Sequence, residues 1–323
     1  MTESMRIAAD TGVLCIGYHY VRDKHDIPYP GIHPLTPQAF SDQLDVLAEQ
    51  APPVAPRDVD AWFAGKADLP ERSSLLSFDD GMKDHAMAAL DVLSPRGMLG
   101  AFFICSRPYL EQHALAVHKI HWLRAHTPPV DYRESLFNSL EPRWRETYEA
   151  PTDDVVAKIK NTYQFDDFDT AKLKFLMNFL IPEADMDNAT TRMLGEHGMD
   201  EATFCDMFYL SRDEIRAMHA AGHLIASHTH SHRTLSSLDQ DRSDQEIRLN
   251  LDFIESVTGE RPDWISYPYG SDAALPTDPT AFCGRHGFKL GISYTRGWNQ
   301  RDTNPAKLLR VDTNEVDRFL TTP

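Results

Sequence analysis

The sequence is poor in basic residues and in long apolar runs. Its 323 residues include 32 Lys and Arg against 49 Asp and Glu, so the formal net charge is −17 at pH 7. Nucleic acids and anionic membrane surfaces are bound through basic patches, and we therefore expect neither as a partner. No apolar run approaches the roughly 20 residues that a transmembrane helix requires, so no membrane span is predicted.

Close pairs of cysteines are also missing. The four cysteines are far apart in the sequence: Cys15, Cys105, Cys205 and Cys283. This pattern indicates reduced core residues rather than a disulfide or zinc framework. The first ten residues carry two acids and one base ahead of a very short apolar run. A signal peptide needs a basic start and a longer apolar stretch, so we expect a cytoplasmic protein.

What the sequence does contain is an alternation of strand-like and helix-like segments. Apolar runs at 12–21, 73–78 and 99–106 have the character of buried strands, and the intervening segments at 36–50 and 83–97 have helical spacing. The alternation resumes with a helix at 211–222 and continues to a strand at 288–295. Strands that alternate with helices predict parallel strands joined by crossover helices, and therefore an α/β fold.

Between these two parts the pattern changes. Residues 107–207 contain several helix-like segments, such as LAVHKIHWLRAH and DTAKLKFLMNFLI, and no convincing strand. A structureless loop of that length is improbable inside a compact domain, so we interpret the segment as a helical insertion in one domain spanning 1–323. Covering the active site and forming a homo-oligomer contact both stay open as roles for the insertion.

Two adjacent acids end one of the strands. In LLSFDDGMKDH, residues 75–85, an apolar run stops at Asp79 and Asp80, and Gly81 follows. Asp-Gly pairs are common in turns, because glycine tolerates positive φ and aspartate bonds its own backbone. A turn therefore explains this motif if it stands alone. The alternative is a metal site with a general base beside it, and that alternative requires partner ligands elsewhere.

The partner ligands are histidines at the end of another strand. In LIASHTHSHRTL, His228 and His232 are four residues apart, so one helical turn would place both rings on one side. His230 is expected to point away from them. Two imidazoles and one carboxylate form a three-ligand site that leaves a position open for water, with Asp80 as the third ligand. Asp79 then stays ionised beside the cation and can accept a proton from the attacking water.

These motifs resemble those of the polysaccharide deacetylase (NodB-homology) family, carbohydrate esterase family four. SFDDG resembles the first motif of the family, SHTHSH the second and SYPYG, residues 266–270, the third. The resemblance implies a deformed (β/α)7 barrel and a metal-dependent hydrolase that deacetylates N-acetyl sugars or glycan intermediates. It also implies that Asp79 is the base, that Asp80, His228 and His232 bind the metal, and that the backbone N–H of Tyr269 helps to hold the oxyanion. Such a donor contributes about 3 kcal/mol to the transition state.

The ligand set favours zinc and does not exclude iron, cobalt or nickel. Because the chain is expected to be cytoplasmic, a nucleotide-linked, lipid-linked or short glycan precursor of a surface polysaccharide is the expected substrate. Three alternatives stay open. They are a deformylase or other amide hydrolase on the same scaffold, a non-catalytic glycan-binding homologue, and a fold without a site.

The sequence departs from the family in two places. Many members carry an Arg two residues before the Pro of the third motif, where it holds the catalytic Asp, and this chain has Ser266. Asp79 would then lack that guanidinium partner or borrow another, such as Arg296. The family's carboxy-terminal Leu-x-x-His run is also missing from KLLRVDTNE, although the departing amine still needs a proton donor.

His19 is the candidate for that proton donor. It ends the first strand, VLCIGYHYV, and this arrangement resembles the circularly permuted poly-N-acetylglucosamine deacetylase branch of the family. A structural histidine bonded to the backbone is the alternative. Three further residues are weaker candidates for substrate contacts. Trp298 could stack on a sugar ring or pack in the core, His118 could line a cleft from the insertion, and Arg296 could bind substrate.

Overall fold

The computed structural model describes residues 11–24, 27–162 and 167–320. Residues 1–10, on which the prediction of no signal peptide rests, lie outside the described residues. Seven strands are present among the described residues: β1 Gly12–Tyr18, β2 Arg72–Phe78, β3 Gly100–Ile104, β4 Leu224–Ser227, β5 Trp264–Ser266, β6 Leu290–Ile292 and β7 Arg310–Asp312. The six earlier strands coincide with segments predicted as strands, except that β2 begins at Arg72, one residue before the predicted 73–78. The strand β7 was not predicted.

The seven strands form one parallel sheet in the order β6-β5-β4-β3-β2-β1-β7. β1 pairs with β2 along its whole length, from Gly12 opposite Arg72 to Tyr18 opposite Phe78. On its other side β1 pairs with β7, where Cys15 lies opposite Arg310. Leu308, just before β7, makes a parallel bridge to Ile292 of β6, so the two edges nearly meet. The predicted deformed (β/α)7 barrel is confirmed.

Helices follow the strands as the alternation predicted. In the part of the chain that carries the sheet they are α1 Pro37–Gln50, α2 Pro56–Phe63, α3 Asp84–Met87 with a π-helical continuation Ala88–Leu93, and α4 Arg107–Leu110. After the insertion they are α12 Arg212–Ala220, α13 Gln240–Thr258, α14 Pro279–His286 and α15 Val316–Leu320. The helix α12 begins with a capping box formed by Ser211 and Glu214. Each cap satisfies backbone N–H groups that the first turn of a helix leaves free.

The sheet is buried on both faces, as a parallel sheet requires. One hydrophobic cluster joins alternate residues of the central strands to α1, α3, α12 and α13, and includes Leu76, Phe78, Phe102 and Ile104. A second cluster contains the intervening residues, such as Leu75, Ala101 and Phe103. Because successive side chains of a strand point to opposite faces, the two clusters lie on opposite faces of the sheet.

The described chain groups into two compact units. Among the described residues, the first unit, which contains the sheet, comprises 11–23, 34–112 and 205–320, and the second comprises 24, 27–33, 113–162 and 167–204. The second unit contains α5 Ala116–His126, α6 Pro129–Asn138, α7 Pro142–Glu149, α8 Asp153–Thr162, α9 Phe168–Phe175 with a π-helical continuation Leu176–Leu180, and α10 Glu183–Glu196. The helix α11, Glu201–Phe208, crosses the boundary between the units. No helix of the described ranges combines the length and the apolar character needed to span a bilayer.

The second unit has a buried ion-pair cluster of its own. The ammonium of Lys119, which is fully buried, lies 2.6 Å from Asp187 Oδ1 and 2.6 Å from Glu201 Oε1. His113 Nε2 lies 2.9 Å from Asp187 Oδ2. These acids and His113 are close enough together to hold a metal ion. Because Lys119 already lies between the two acids, the cluster is better described as a salt-bridge network that joins α5 to α10 and α11.

Candidate active site

The two adjacent acids lie at the carboxyl end of β2. The backbone N–H of Asp79 donates to the Tyr18 carbonyl at 3.1 Å, so the end of β1 is held beside it. Asp80 has a φ of 82°, which turns its side chain away from the course of the strand. A left-handed φ is costly for a residue other than glycine and persists only where the surroundings impose it. Both carboxylates are buried, at 1% and 5% exposure.

The predicted metal ligands converge at this end of the barrel. Asp80 Oδ1 lies 3.3 Å from His228 Nε2 and 3.4 Å from His232 Nε2. One ligand atom from each residue lies within 4.8 Å of the other two, which is close enough for a single ion. His232, like Asp80, has a left-handed backbone with φ 61°. The bend in the chain, rather than a regular helical turn, brings the two imidazoles to the same side.

The protonation pattern of His228 suits a metal ligand. Its Nδ1 lies 2.7 Å from the Ser266 carbonyl oxygen, which can only accept, so Nδ1 carries the hydrogen. In the neutral imidazole the lone pair is then on Nε2, the atom that faces Asp80. A backbone carbonyl that fixes a histidine in this way is the usual outer partner of a metal-binding imidazole. A carboxylate and two imidazoles with this orientation fit a zinc-like divalent cation.

The loop that carries the histidines is held by polar side chains from neighbouring elements. The buried amide of Asn250, on α13, donates to the Thr229 carbonyl at 2.6 Å and to the Ile104 carbonyl at 2.8 Å. His230 turns away from the ligands, as predicted, with Nδ1 2.9 Å from Ser106 Oγ and Nε2 2.9 Å from Glu111 Oε1. These contacts hold the loop between β4 and α13 in place.

Asp79 has a partner that the sequence analysis missed. Arg310, the first residue of β7, donates to Asp79 Oδ1 at 3.0 Å and contacts Oδ2 at 2.8 Å, so the pair is bidentate. Its guanidinium also donates to the Ser293 carbonyl and to the hydroxyls of Ser77 and Ser266. Arg310 is fully buried, and these acceptors lie in or directly after β2, β5 and β6, so the guanidinium lies inside the barrel.

Ser266 connects Asp79 to His228, one of the predicted metal ligands. Its hydroxyl donates to Asp79 Oδ2 at 3.1 Å, while its carbonyl accepts from His228. The small side chain leaves room for Arg310 to reach the same carboxylate from another strand. Burial alone would raise the pKa of Asp79, but the Arg310 guanidinium lowers that pKa below its usual range. The carboxylate is therefore ionised at neutral pH, as a base must be.

Arg296 does not take the role of partner to Asp79, and that expectation is wrong. Its guanidinium pairs with Glu315 at 2.7 and 2.9 Å, and its side chain is 67% exposed. Trp298 lies in the hydrophobic core at 5% exposure, with the Arg72 guanidinium 5.0 Å from its ring centroid. A ring buried in this way offers no face to a sugar, so the predicted stacking is wrong. His118 is 1% exposed in the second unit, and its burial contradicts a direct substrate contact.

His19 follows β1 and lies at the same end of the barrel as the acids. Its backbone carbonyl accepts a hydrogen bond from Nε2 of His85 at 2.9 Å. Its ring is half-buried, and its Nδ1 lies 3.5 Å from Tyr294 Oη. Asp84, next to His85, accepts from the Val21 N–H at 3.1 Å and so holds the chain just after His19. The ring of the predicted acid therefore lies among residues that also surround Asp79.

Burial keeps His85 neutral, and this predicts a pH-dependent stability. Burial lowers the pKa of His85 from 6.5 to about 4. Because the depressed pKa belongs to the folded state, the stabilisation is present above pH 6.5 and is lost as the pH falls towards 4. Linkage gives a loss of about 3 kcal/mol in the free energy of unfolding over that interval. Urea titrations of wild type and His85→Asn at several pH values should show that the free energy of unfolding depends less on pH in the variant.

The same substitution at the exposed His33 is the control for that experiment. His33→Asn should leave the difference in unfolding free energy between pH 7 and pH 4 unchanged. If His85→Asn has the same pH dependence as wild type, His85 is not the buried neutral imidazole described above.

Tyr269 has its side chain at the surface and its backbone in the site. Its φ is 62°, its side chain is 56% exposed, and its ring centroid lies 4.8 Å from that of the His232 ring. The left-handed backbone sets the direction of the N–H that the family resemblance assigns to the oxyanion. Of the five non-glycine residues with positive φ in the described ranges, four lie in this site: Asp80, Thr229, His232 and Tyr269.

Comparison with known proteins gives one matching family model and several similar structures. A model described as polysaccharide deacetylase matches residues 66–284. A deacetylase of Streptococcus pyogenes, PplD, solved in complex with acetate, is 13% identical, with a TM-score of 0.55 and coverage of 96% of this chain and 98% of that one. IcaB from Ammonifex degensii is 16% identical, with a TM-score of 0.52 and coverage of 97% of this chain and 93% of that one. A de-N-acetylase from Aggregatibacter actinomycetemcomitans is 15% identical, with a TM-score of 0.54 and coverage of 95% of this chain and 99% of that one.

At these identities the structural likeness shows the fold alone. No curated protein sequence matches the chain. The family model spans all three sequence motifs up to residue 284, and it ends before Tyr294 and Arg310.

Proposed function

Because the chain belongs to the polysaccharide deacetylase family, we propose that it is a metal-dependent hydrolase that removes the acetyl group from an N-acetylated amino sugar. Family membership makes it a carbohydrate deacetylase, and the finer proposal concerns the metal, the residues and the substrate. The observation that carries it is the cluster of Asp80, His228 and His232, whose ligand atoms lie within 4.8 Å of one another beside Asp79.

Asp80, His228 and His232 would hold the metal. Members of this family are generally metal-dependent, and zinc suits a donor set of one carboxylate and two imidazoles, with iron, cobalt and nickel as alternatives. A bound divalent cation supplies Lewis acidity, which polarises the acetyl carbonyl and acidifies the attacking water. The protein contributes the fixed direction of the ligands, which the Ser266 carbonyl sets for His228.

Asp79 is the proposed general base. The Arg310 guanidinium keeps the Asp79 carboxylate ionised, and the Ser266 hydroxyl donates to Asp79 Oδ2. The carboxylate takes a proton from the water that attacks the acetyl carbon. Because the site is buried, the charges there are poorly screened by solvent and act on the reacting atoms strongly.

His19 is the proposed general acid. When the C–N bond breaks, its imidazolium gives a proton to the departing nitrogen, and the products are acetate and a free amino sugar. The backbone N–H of Tyr269 would donate to the oxyanion that forms on the acetyl carbonyl. His19 thus acts on the nitrogen of the amide, and the Tyr269 N–H acts on its carbonyl oxygen.

An amino sugar in a glycan or glycan precursor is the proposed substrate. The names of the similar structures, a de-N-acetylase and deacetylases, support an acetyl group on nitrogen. The four cysteines are free and buried, which suits the predicted cytoplasmic location and a precursor substrate. Release of acetate from soluble nucleotide-linked or short N-acetyl sugars, compared with polymeric chitin, is the test of this choice. Turnover of the polymer alone would contradict it.

Elemental analysis of the purified protein is the first experiment on the proposed function. Wild type should carry ~1 metal ion per chain, and Asp80→Ala and His228→Ala should each lose it. His230→Gln is the matched control, because this histidine belongs to the same loop and faces Ser106 and Glu111 instead. A wild type that stays metal-free after reconstitution with zinc, iron, cobalt and nickel would overturn the proposal.

A further inference from the structure

Tyr294 occupies a slot that two glycines leave open. A Cβ added at Gly17, on β1, would lie 2.2 Å from Tyr294 Oη, and a Cβ added at Gly270 would lie 2.7 Å from the Tyr294 backbone nitrogen. The same nitrogen donates to the Gly270 carbonyl at 2.7 Å. Since any larger side chain at either position would displace the ring or its backbone, the tyrosine is held in place from two sides.

The two ends of this side chain face two parts of the candidate site. The Arg310 guanidinium carbon lies 3.9 Å from the centroid of the Tyr294 ring, so the ring covers the cation that binds Asp79. At the other end, Oη lies 3.5 Å from His19 Nδ1, at the long limit of a hydrogen bond. The rings of Tyr294 and His19 are nearly parallel, with 22° between their planes and 6.0 Å between their centroids.

We propose that Tyr294 is the positioning residue for the general acid: its hydroxyl accepts a hydrogen bond from Nδ1–H of His19 and so reserves Nε2–H for the leaving amine. This inference rests on the proposed function, because it assigns a partner to the acid of that reaction. Tyr294 itself touches neither substrate nor metal in this role and acts only through His19.

The proton balance of the step requires this tautomer. The imidazolium of His19 carries hydrogens on both nitrogens, and its Nε2–H passes to the nitrogen of the breaking C–N bond. The ring that remains is neutral and keeps its hydrogen on Nδ1, where Tyr294 Oη still accepts it. A hydroxyl can accept in both states, and no proton leaves Tyr294.

Burial raises the pKa of Tyr294, so the hydroxyl is neutral throughout the pH range in which enzymes work. A neutral acceptor has a consequence for the acid. A carboxylate at this position would stabilise the imidazolium by its charge and would make its proton harder to give away. A tyrosine hydroxyl orients the His19 ring without that penalty. The aromatic face of the same tyrosine packs against the Arg310 guanidinium.

The first test reads the tautomer of His19 without any substrate. Two-bond proton–nitrogen correlation spectra of the zinc-loaded protein, at a pH where the imidazole is neutral, distinguish Nδ1–H from Nε2–H. The His19 signals are assigned by their disappearance in His19→Gln. We expect mainly Nδ1–H in wild type and a population shifted towards Nε2–H in Tyr294→Phe. The same tautomer in both proteins would overturn the proposal.

The second test separates the amide from an ester that needs no acid. Tyr294→Phe should lower kcat about tenfold on an N-acetylglucosamine oligomer, with KM and zinc content unchanged, because one orienting hydrogen bond is lost. On 4-nitrophenyl acetate, whose phenolate departs unprotonated, the rate should stay within about twofold of wild type. An equal loss on both substrates would show a structural effect and contradict the proposal.

Tyr18→Phe is the matched control for both measurements. It removes a hydroxyl from the residue next to His19, but that hydroxyl donates to Gln43 at 2.8 Å and its ring packs in the core. The control should match wild type in tautomer and in both rates. If wild type releases no acetate from any N-acetyl sugar, the proposed function fails, whereas the tautomer measurement still decides the role of Tyr294.

Discussion

Asp79→Asn is expected to keep the metal ion and to lose about a thousandfold in kcat, within the range that general base catalysis contributes. Asp79 is not a ligand of the predicted site, whose three ligand atoms come from Asp80, His228 and His232. Asparagine has nearly the same shape and can still accept from Arg310, but it cannot take a proton from water. KM should change little, because the lost interaction matters only in the transition state.

The adjacent acid should respond differently, and this contrast is the sharpest feature of the test. Asp80→Asn or Asp80→Ala removes a ligand, so metal content and kcat should fall together. Asp91→Asn, an isosteric change at an exposed position of the helical segment that follows, is the control and should match wild type. Metal content and acetate release are measured on the same preparations. An Asp79→Asn enzyme with at least half of the wild-type kcat would remove Asp79 from the role of base.

The site residues that lie in short sequence motifs were predictable from the sequence. Asp79 and Asp80 follow a clear apolar strand, and His228 and His232 follow another, so the rule that ligands gather at the carboxyl ends of parallel strands places them together. The alternation of strands and helices predicted an α/β fold with parallel strands, whereas the deformed (β/α)7 barrel was implied by the family resemblance. The candidate metal site draws its residues from two short stretches whose spacing is visible in the sequence.

Arg310 and Tyr294 could not be found in this way. Arg310 begins a strand of only three residues, Arg310–Asp312, and such a strand has too few positions to show a periodic pattern. Tyr294 lies just after another three-residue strand, Leu290–Ile292. Ser266 indicated that Asp79 either lacks a guanidinium partner or borrows one from elsewhere, but only the closure of the barrel decides that Arg310 reaches it.

Trp298 shows how a correct local interpretation can lead to a wrong site. Trp298 comes shortly after the strand predicted at 288–295, and the next residue does pair with a strand: the Asn299 N–H donates to the Val13 carbonyl at 2.9 Å. Val13, however, lies at the beginning of β1, whereas His19 follows its end. The chain after β6 thus returns to the amino ends of the strands, on the side of the barrel opposite to the candidate site. Backbone direction over that loop is not encoded in any local pattern.

Arg310→Met is expected to cost about 3–5 kcal/mol in the free energy of unfolding, because it leaves the Asp79 carboxylate buried without its cation. Burial would then dominate and raise the pKa of Asp79, which the guanidinium now lowers. Since the base must be ionised to act, activity would be lost at a higher pH than in wild type as the pH falls. Urea unfolding and the acidic limb of the kcat/KM profile measure the two effects. Arg296→Met, at the exposed arginine paired with Glu315, is the matched control and should change neither.

Moving the arginine from position 310 to position 266 distinguishes the effect of losing the ion pair with Asp79 from the effect of losing packing. Ser266 Oγ and Arg310 both contact the Asp79 carboxylate, at 3.1 and 2.8 Å, so an arginine introduced at 266 can approach it once residue 310 is small. The double variant Ser266→Arg/Arg310→Ser therefore places the guanidinium at the position of the third motif where many members of the family carry an arginine. We expect the double variant to recover at least about tenfold in kcat/KM over Arg310→Ser alone and to return the acidic limb towards wild type, because one charge-assisted pair is restored. Recovery without a shift of the acidic limb would indicate that packing, and not the charge beside Asp79, is what Arg310 provides.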